Sequence, residues 1–220
     1  MNIPEISPEL AEEAGWHIGD GSMNFYKNYG KLKGIYQLRG HIEDDKEHYL
    51  IRIKPFFKSL YGIDVSLREM PSTRVFGFQI WNNELVEFKK KLGLSLGRKL
   101  NISIPAVFLK DDILVASVLR GIFDTDGGIY LENKNNKLYP RLEIRTISLK
   151  LANQLQYNFN NLGLRATMHS ELFNKKVNRQ KTYVISIRGE EMFHNFIKTI
   201  KPANPKHMSK YRKFLDSKSL

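Results

Sequence analysis

The segment Leu119-Arg120-Gly121-Ile122-Phe123-Asp124-Thr125-Asp126-Gly127 decides the reading of this chain. It ends an apolar stretch that begins near Ala116 and closes on Asp-Gly. Gly121 and Thr125 stand one helical turn apart, and i, i+4 spacing puts them on one face. A second segment, Leu10-Ala11-Glu12-Glu13-Ala14-Gly15-Trp16-His17-Ile18-Gly19-Asp20-Gly21, repeats the pattern. Gly15 aligns with Gly121, Gly19 with Thr125, Asp20 with Asp126 and Gly21 with Gly127, at one offset close to half the chain. Such self-similarity points to duplicated halves. Small side chains let helix backbones approach closely, so each motif helix is expected to pack on the other about a pseudo-two-fold axis.

The sequence around each motif reads alike. After the first, residues 22–28 and 35–42 read as strands. Residues 45–61 form an amphipathic helix stopped by Gly62. Residues 64–70 and 74–81 read as a hairpin around Pro71-Ser72, and 83–92 as a helix stopped by Gly93. After the second, 128–132 and 139–147 are strands around the turn-rich 133–137. Residues 148–162 are a helix with Ser148 as its N-cap, 164–173 and 182–188 are strands, and 190–200 is a helix. The order α-β-β-α-β-β-α thus occurs twice, across a Pro-broken linker at 93–110. The tail from Lys201 carries Lys206, Lys210, Arg212, Lys213 and Lys218 against Asp216.

Composition excludes several classes. Of 220 residues, 35 are Lys or Arg and 23 Asp or Glu, a net charge of +12, and 41% are hydrophobic, enough for a core. No apolar run is long enough for a membrane span, and the first residues have no secretory-signal pattern. With no cysteine there is no disulfide, thiolate metal site or Cys nucleophile, which fits a reducing, intracellular setting: the cytoplasm of a prokaryote or an organelle matrix. The six His show no metalloprotease spacing, and no phosphate-binding glycine loop is present. The basic excess points to a polyanion such as nucleic acid.

Packed helices would bring Asp20 and Asp126 together at one end. Each carboxylate would then face the negative end of a helix dipole, at a cost of up to about 1 kcal/mol, and the two would repel. A divalent cation removes both penalties. Oxygen ligands favour Mg²⁺, and the free peptide carbonyls at the helix ends, those of Gly19 and Thr125, can add to the ligand set. The competing reading is a pair of turn-forming helix caps.

The Leu119–Gly127 stretch closely resembles the LAGLIDADG motif of homing endonucleases, and Glu13–Gly21, preceded by Leu10-Ala11, resembles a looser copy. The likeness covers the whole chain, because the family's single-chain members share the doubled plan. It implies an α+β fold of two pseudo-symmetric α-β-β-α-β-β-α subdomains, residues 1–104 and 105–220, whose antiparallel sheets form a DNA-binding saddle. It implies a site-specific double-strand DNA endonuclease: metal-dependent phosphodiester hydrolysis at a long asymmetric target, leaving 3′ overhangs. Asp20 and Asp126 would share two or three Mg²⁺ ions, and the protein would act as a monomer on duplex DNA. The competing roles are an RNA-binding splicing cofactor acting on intron RNA and a DNA-binding protein that no longer cuts. Without the Cys or Ser start and His-Asn end of an intein, the chain reads as intron-encoded or free-standing.

Trp16 and His17 depart from the aliphatic residues usual in the motif; His17 is expected to pack rather than ligate. Glu12 and Glu13 read as solvated charges. Asp124, two residues before Asp126, is expected to point elsewhere. The family places a lysine beside the metals in each half, and Lys99 and Lys206, almost the motif offset apart, fill those places as catalytic groups or as phosphate contacts. On the strands, Gln37, Arg39 and His41 share a face, as do Arg141, Glu143 and Arg145. With Arg68, Arg74, Gln79 and Arg188 they form the expected DNA-reading set, unless they are merely solvated. Lys27, Lys31 and Lys33, with Tyr26 and Tyr29, are expected in the first hairpin loop, and Lys175, Lys176, Arg179 and Lys181 in the last, to hold phosphates.

Overall fold

The computed structural model describes residues 1–135, 137–172 and 181–218. The first half runs α1 (Pro8–Gly19), β1 (Gly21–Asn28), β2 (Lys31–His41), α2 (Lys46–His48), α3 (Lys54–Tyr61), β3 (Arg68–Met70), β4 (Val75–Trp81) and α4 (Asn83–Lys91). The second half runs α5 (Asp112–Asp126), β5 (Gly127–Lys134), β6 (Lys137–Thr146), α6 (Leu149–Asn161), β7 (Ala166–Leu172), β8 (Lys181–Arg188) and α7 (Glu190–Ile200), then α8 (Pro205–Asp216). The strands make two four-stranded antiparallel sheets, ordered β1-β2-β4-β3 and β5-β6-β8-β7. The doubled α+β plan is therefore the fold.

The motif helices pair as their small residues require. The Ser7 hydroxyl accepts the Leu10 amide at the start of α1, with Pro8 in the first turn, where its missing N–H costs nothing. Asp111 caps α5 through the amides of Ile113 and Leu114. A β-carbon on Gly15 would lie 2.8 Å from Gly121 Cα, and one on Gly121 would lie 2.9 Å from Gly15 Cα. Only hydrogen fits at either place. Around this seam one continuous core joins the halves, with Tyr36, Phe57 and Phe78 under the first sheet and Phe123, Phe159 and Phe196 under the second.

Several elements differ from expectation. The helix over 45–61 contains a π-helical turn at Tyr49–Ile53, closed by the Lys54 amide on Tyr49 O. Pro55 follows, and its missing amide hydrogen removes an α-helical donor. The strand expected over 64–70 is only Arg68–Met70. Lys27, Lys31 and Lys33 lie on β1 and β2 rather than in a loop: Asn28 pairs with Lys31, so Tyr29-Gly30 alone makes the turn, both with positive φ. The basic tail is a helix, α8, capped by Asn204, begun by Pro205 and seated by buried His207 and Phe214. Asn-Pro was its signature in the sequence. Lys175, Lys176 and Arg179 lie outside the described residues. Among the described residues no helix is long and apolar enough to cross a membrane.

Candidate functional site

Asp20 ends α1 and Asp126 ends α5, and the packing of Gly19 on Thr125 brings them side by side. A β-carbon on Gly19 would lie 2.7 Å from Thr125 Cβ and 3.4 Å from Asp126 Cγ. Burial, then the Asp126 charge, then Asp45 push the Asp20 carboxyl up to about 8. Burial also raises the Asp126 carboxyl, but the Lys99 and Lys206 charges hold the rise to about 6. Two crowded carboxyl groups at the negative ends of two helices form a site that is unstable when ionised and empty.

The two lysines flank this pair. Lys99 Nζ donates to Ile18 O at 2.9 Å and to Gly19 O. Burial lowers its pKa against the pull of Asp126 and Asp20. Gly19 O, one of the expected ligand carbonyls, thus already carries a hydrogen bond. Lys206, in the first turn of α8, donates to Asp45 Oδ1 at 2.7 Å. The Thr125 hydroxyl turns back to donate to Gly121 O and Ile122 O, which leaves its carbonyl as the group available at that end.

The neighbouring acids divide into two kinds. Asp124 points away from the pair and accepts the Ala203 and Asn204 amides. His17 is buried and stacks on Tyr36. Glu12 and Glu13, expected to be solvated, are both buried. Glu12 bridges Arg52 at 2.6 Å and Arg120 at 3.0 Å. Glu13 meets Lys89 at 2.5 Å and accepts the Tyr36 and Tyr61 hydroxyls. Their partners stand 23 to 108 residues away in sequence, so nothing local announced them. Asp45 was also missed; its only local signal was its place as a cap before α2.

The outer sheet faces carry the expected polar residues in two different chemistries. In the first sheet Gln37 lies opposite Gln79 and donates to it at 3.4 Å, and Arg39 donates to Gln79 at 3.0 Å. Arg39 and Arg68 both lie in register with Gly77, one on each side. In the second sheet Glu143 is buried between Arg141 at 3.3 Å and Arg145 at 3.2 Å. Its carboxylate orders those two arginines on the sheet face. Arg141 also bridges Glu132, and Arg188 lies opposite it. Lys31, Lys33 and Arg188 are exposed, and Arg74 meets Glu43 at 3.4 Å.

Among the described residues no group of three or more His, Cys, Asp or Glu is arranged to enclose a metal ion. An all-oxygen pair with open sides suits a hard cation whose remaining ligands are water and phosphate, the manner in which Mg²⁺ is commonly held. A closed protein cage is not built here.

A sequence model of the LAGLIDADG-like domain matches residues 114–201. A crystal structure of the homing endonuclease I-DmoI in complex with DNA and Mn is similar at a TM-score of 0.63 and 18% identity, over 90% of this chain and 99% of that one. Another, of I-DmoI with DNA and Ca, gives 0.65 and 16%, over 93% and 97%. The LAGLIDADG homing endonuclease I-GzeII with its DNA target gives 0.58 and 13%, over 98% and 92%. In sequence the chain is 26% identical over 196 residues to the glutamine–fructose-6-phosphate aminotransferase (isomerizing) of Methanocaldococcus jannaschii. That match covers 88% of this chain but only 16% of the other protein. With its motif helices, its paired sheets and these likenesses taken together, the chain has a LAGLIDADG-like domain over residues 114–201 and, as a whole, the fold of the LAGLIDADG homing endonucleases.

Proposed function

We propose that this protein is a site-specific DNA endonuclease that cuts both strands of a long, asymmetric target in a metal-dependent hydrolysis, leaving 3′ overhangs. The observation that carries the reading is the crowding of Asp20 and Asp126 at the joined ends of the motif helices. A bound cation, Mg²⁺ first among candidates, would supply Lewis-acid polarisation of the phosphate and stabilise the leaving oxygen. Asp20 and Asp126 would hold it, with the Thr125 and Gly19 carbonyls as supplementary oxygens. Lys99 and Lys206 place positive charge where the phosphate gains negative charge in the transition state. The amide pair Gln37 and Gln79, with Arg39 and Arg68, reads base edges on one side. The ordered Arg141, Arg145 and Arg188 do so on the other. Lys31, Lys33 and Arg74 contact phosphates, the role the sequence also suggests for Arg179, which lies outside the described residues. Unlike faces on the two sheets give an asymmetric target, and one chain supplies both halves, so the protein works as a monomer.

The test is selection of cleaved duplexes from a randomised DNA library with Mg²⁺, Mn²⁺ or chelator. The parent cuts a defined sequence with metal only. Asp20→Asn and Asp126→Asn still bind the selected duplex but lose double-strand cutting by at least roughly a hundredfold. Cutting by either variant at the parent rate refutes the site; binding without cutting by the parent refutes the activity.

A further inference from the structure

Lys99 and Lys206 hold matching places in the two halves, yet different groups hold them. Lys99 donates to the carbonyls of Ile18 and Gly19 at the end of α1. The carbonyl that matches Ile18 at the end of α5 is Asp124 O, and it is occupied: Asn204 Nδ2 donates to it at 2.9 Å. The two halves differ here by one side chain. Two residues before Lys99 stands Gly97, which has nothing with which to compete; two residues before Lys206 stands Asn204. Lys206 donates instead to Asp45 of the first half, at 2.7 Å.

Asp45 is built to receive it. It is 5% exposed. Its Oδ2 accepts the His41 amide at 2.8 Å and its Oδ1 accepts Asn204 Nδ2 at 2.9 Å, so the carboxylate is fixed from both halves. It also lies against the catalytic pair. A β-carbon on Gly40 would meet Asp45 Oδ2 at 2.8 Å and Asp20 Oδ2 at 2.9 Å. Among the described residues the second half shows no counterpart at the matching place. The residue capping the helix after its second strand is Ser148, and that hydroxyl donates to Ile102 O at 2.7 Å.

We infer that Asp45 is the positioning residue of Lys206: a first-half carboxylate that fixes the second-half lysine beside Asp20, so that the two lysines of the centre are held independently. Backbone carbonyls, which no substitution removes, hold Lys99. A replaceable side chain holds Lys206. Removing the Asp45 charge releases one lysine only, and this deepens the endonuclease reading, on which its consequence for cleavage rests. An enzyme without Asp45 becomes a strand-selective nicking enzyme.

Two readouts test this. In protein labelled with ¹⁵N-lysine, the Lys206 ammonium gives a protected Nζ resonance, identified by its loss in Lys206→Met. Asp45→Asn abolishes it and leaves the resonance of the fully buried Lys89, which reports an intact fold. On a supercoiled plasmid carrying the selected site in Mg²⁺, Asp45→Asn slows one strand roughly tenfold to a hundredfold and leaves the other unchanged. The slowed strand is the one that Lys206→Met slows, and the double variant is no slower than Lys206→Met alone. Persistence of the Lys206 resonance in Asp45→Asn, equal slowing of both strands, or additive losses overturns the inference. If Asp45→Asn loses the Lys89 resonance, Asp45→Ser, which copies Ser148, must give the same results. If the parent shows the resonance but cuts no DNA, the endonuclease reading fails and the positioning role stands.

Discussion

At the scale of single residues, burial decides what each ionisable group does. Lys89 and Glu13 are a fully buried pair, with Tyr36 and Tyr61 completing the carboxylate's hydrogen bonds and facing the ammonium. Removing one member strands the other. Lys89→Met is expected to destabilise the protein by about 3–5 kcal/mol in urea unfolding, and Glu13→Gln added to it to recover part of that loss. His48 is held neutral for a similar reason: burial, then Arg52, depress its pKa from 6.5 to about 3. Between those values the unfolded chain binds a proton that the folded chain refuses. Stability therefore falls as the pH drops from about 6.5 toward 3, and is unaffected by this group above 6.5. His207, depressed to about 3 by burial beside Lys206, adds to the same limb. His48→Phe keeps the ring against Trp16 and removes one proton's worth of slope, up to about 1.4 kcal/mol per pH unit, measurable by unfolding across pH 3.5–6.5.

At the scale of elements, the seam between α1 and α5 is set by backbone contact. An added methyl at Gly15 or Gly121 meets main-chain atoms of the opposite helix, not a yielding side chain. Gly15→Ala and Gly121→Ala should each cost about 1–3 kcal/mol by overpacking, read as a lowered midpoint in thermal unfolding. Cleavage should fall further than stability, because the same seam sets the approach of Asp20 and Asp126. The cap of α8 is a second dependence. Asn204 caps the Lys206 amide and ties Asp45 to Asp124. This seam was readable in the sequence, because i, i+4 small residues repeated half a chain apart leave few other purposes. The cap was missed although Asn204-Pro205 is a helix-start signal, since a run of lysines and arginines masks the apolar period of His207 and Phe214.

At the scale of the whole molecule, the endonuclease reading divides the contacts with DNA between phosphates and base edges. Binding to the selected duplex should weaken steeply with salt. Replacing the exposed Lys33 by Ala should reduce the slope of log affinity against log salt by about 1 without changing sequence preference. Gln37→Ala should instead relax preference at one base position, by about 1–3 kcal/mol, with little change in salt slope. Competitive binding to variant duplexes at several salt concentrations separates the two. Equal effects on slope and preference would refute the division of labour between them.

The sequence by itself determined the doubled plan, the helix seam and the two aspartates. These depend on local period, on small residues and on repetition, all of which survive in one dimension. Only the tertiary structure decided which charges are buried and paired. Glu12 and Glu13 look like ordinary surface acids until Arg52, Arg120 and Lys89 arrive from distant elements. Asp45 looks like a helix cap until Asn204 and Lys206 close on it from the other half. An ion pair is made by proximity, and proximity between residues 161 positions apart is a property of the packed chain, not of its neighbours in sequence.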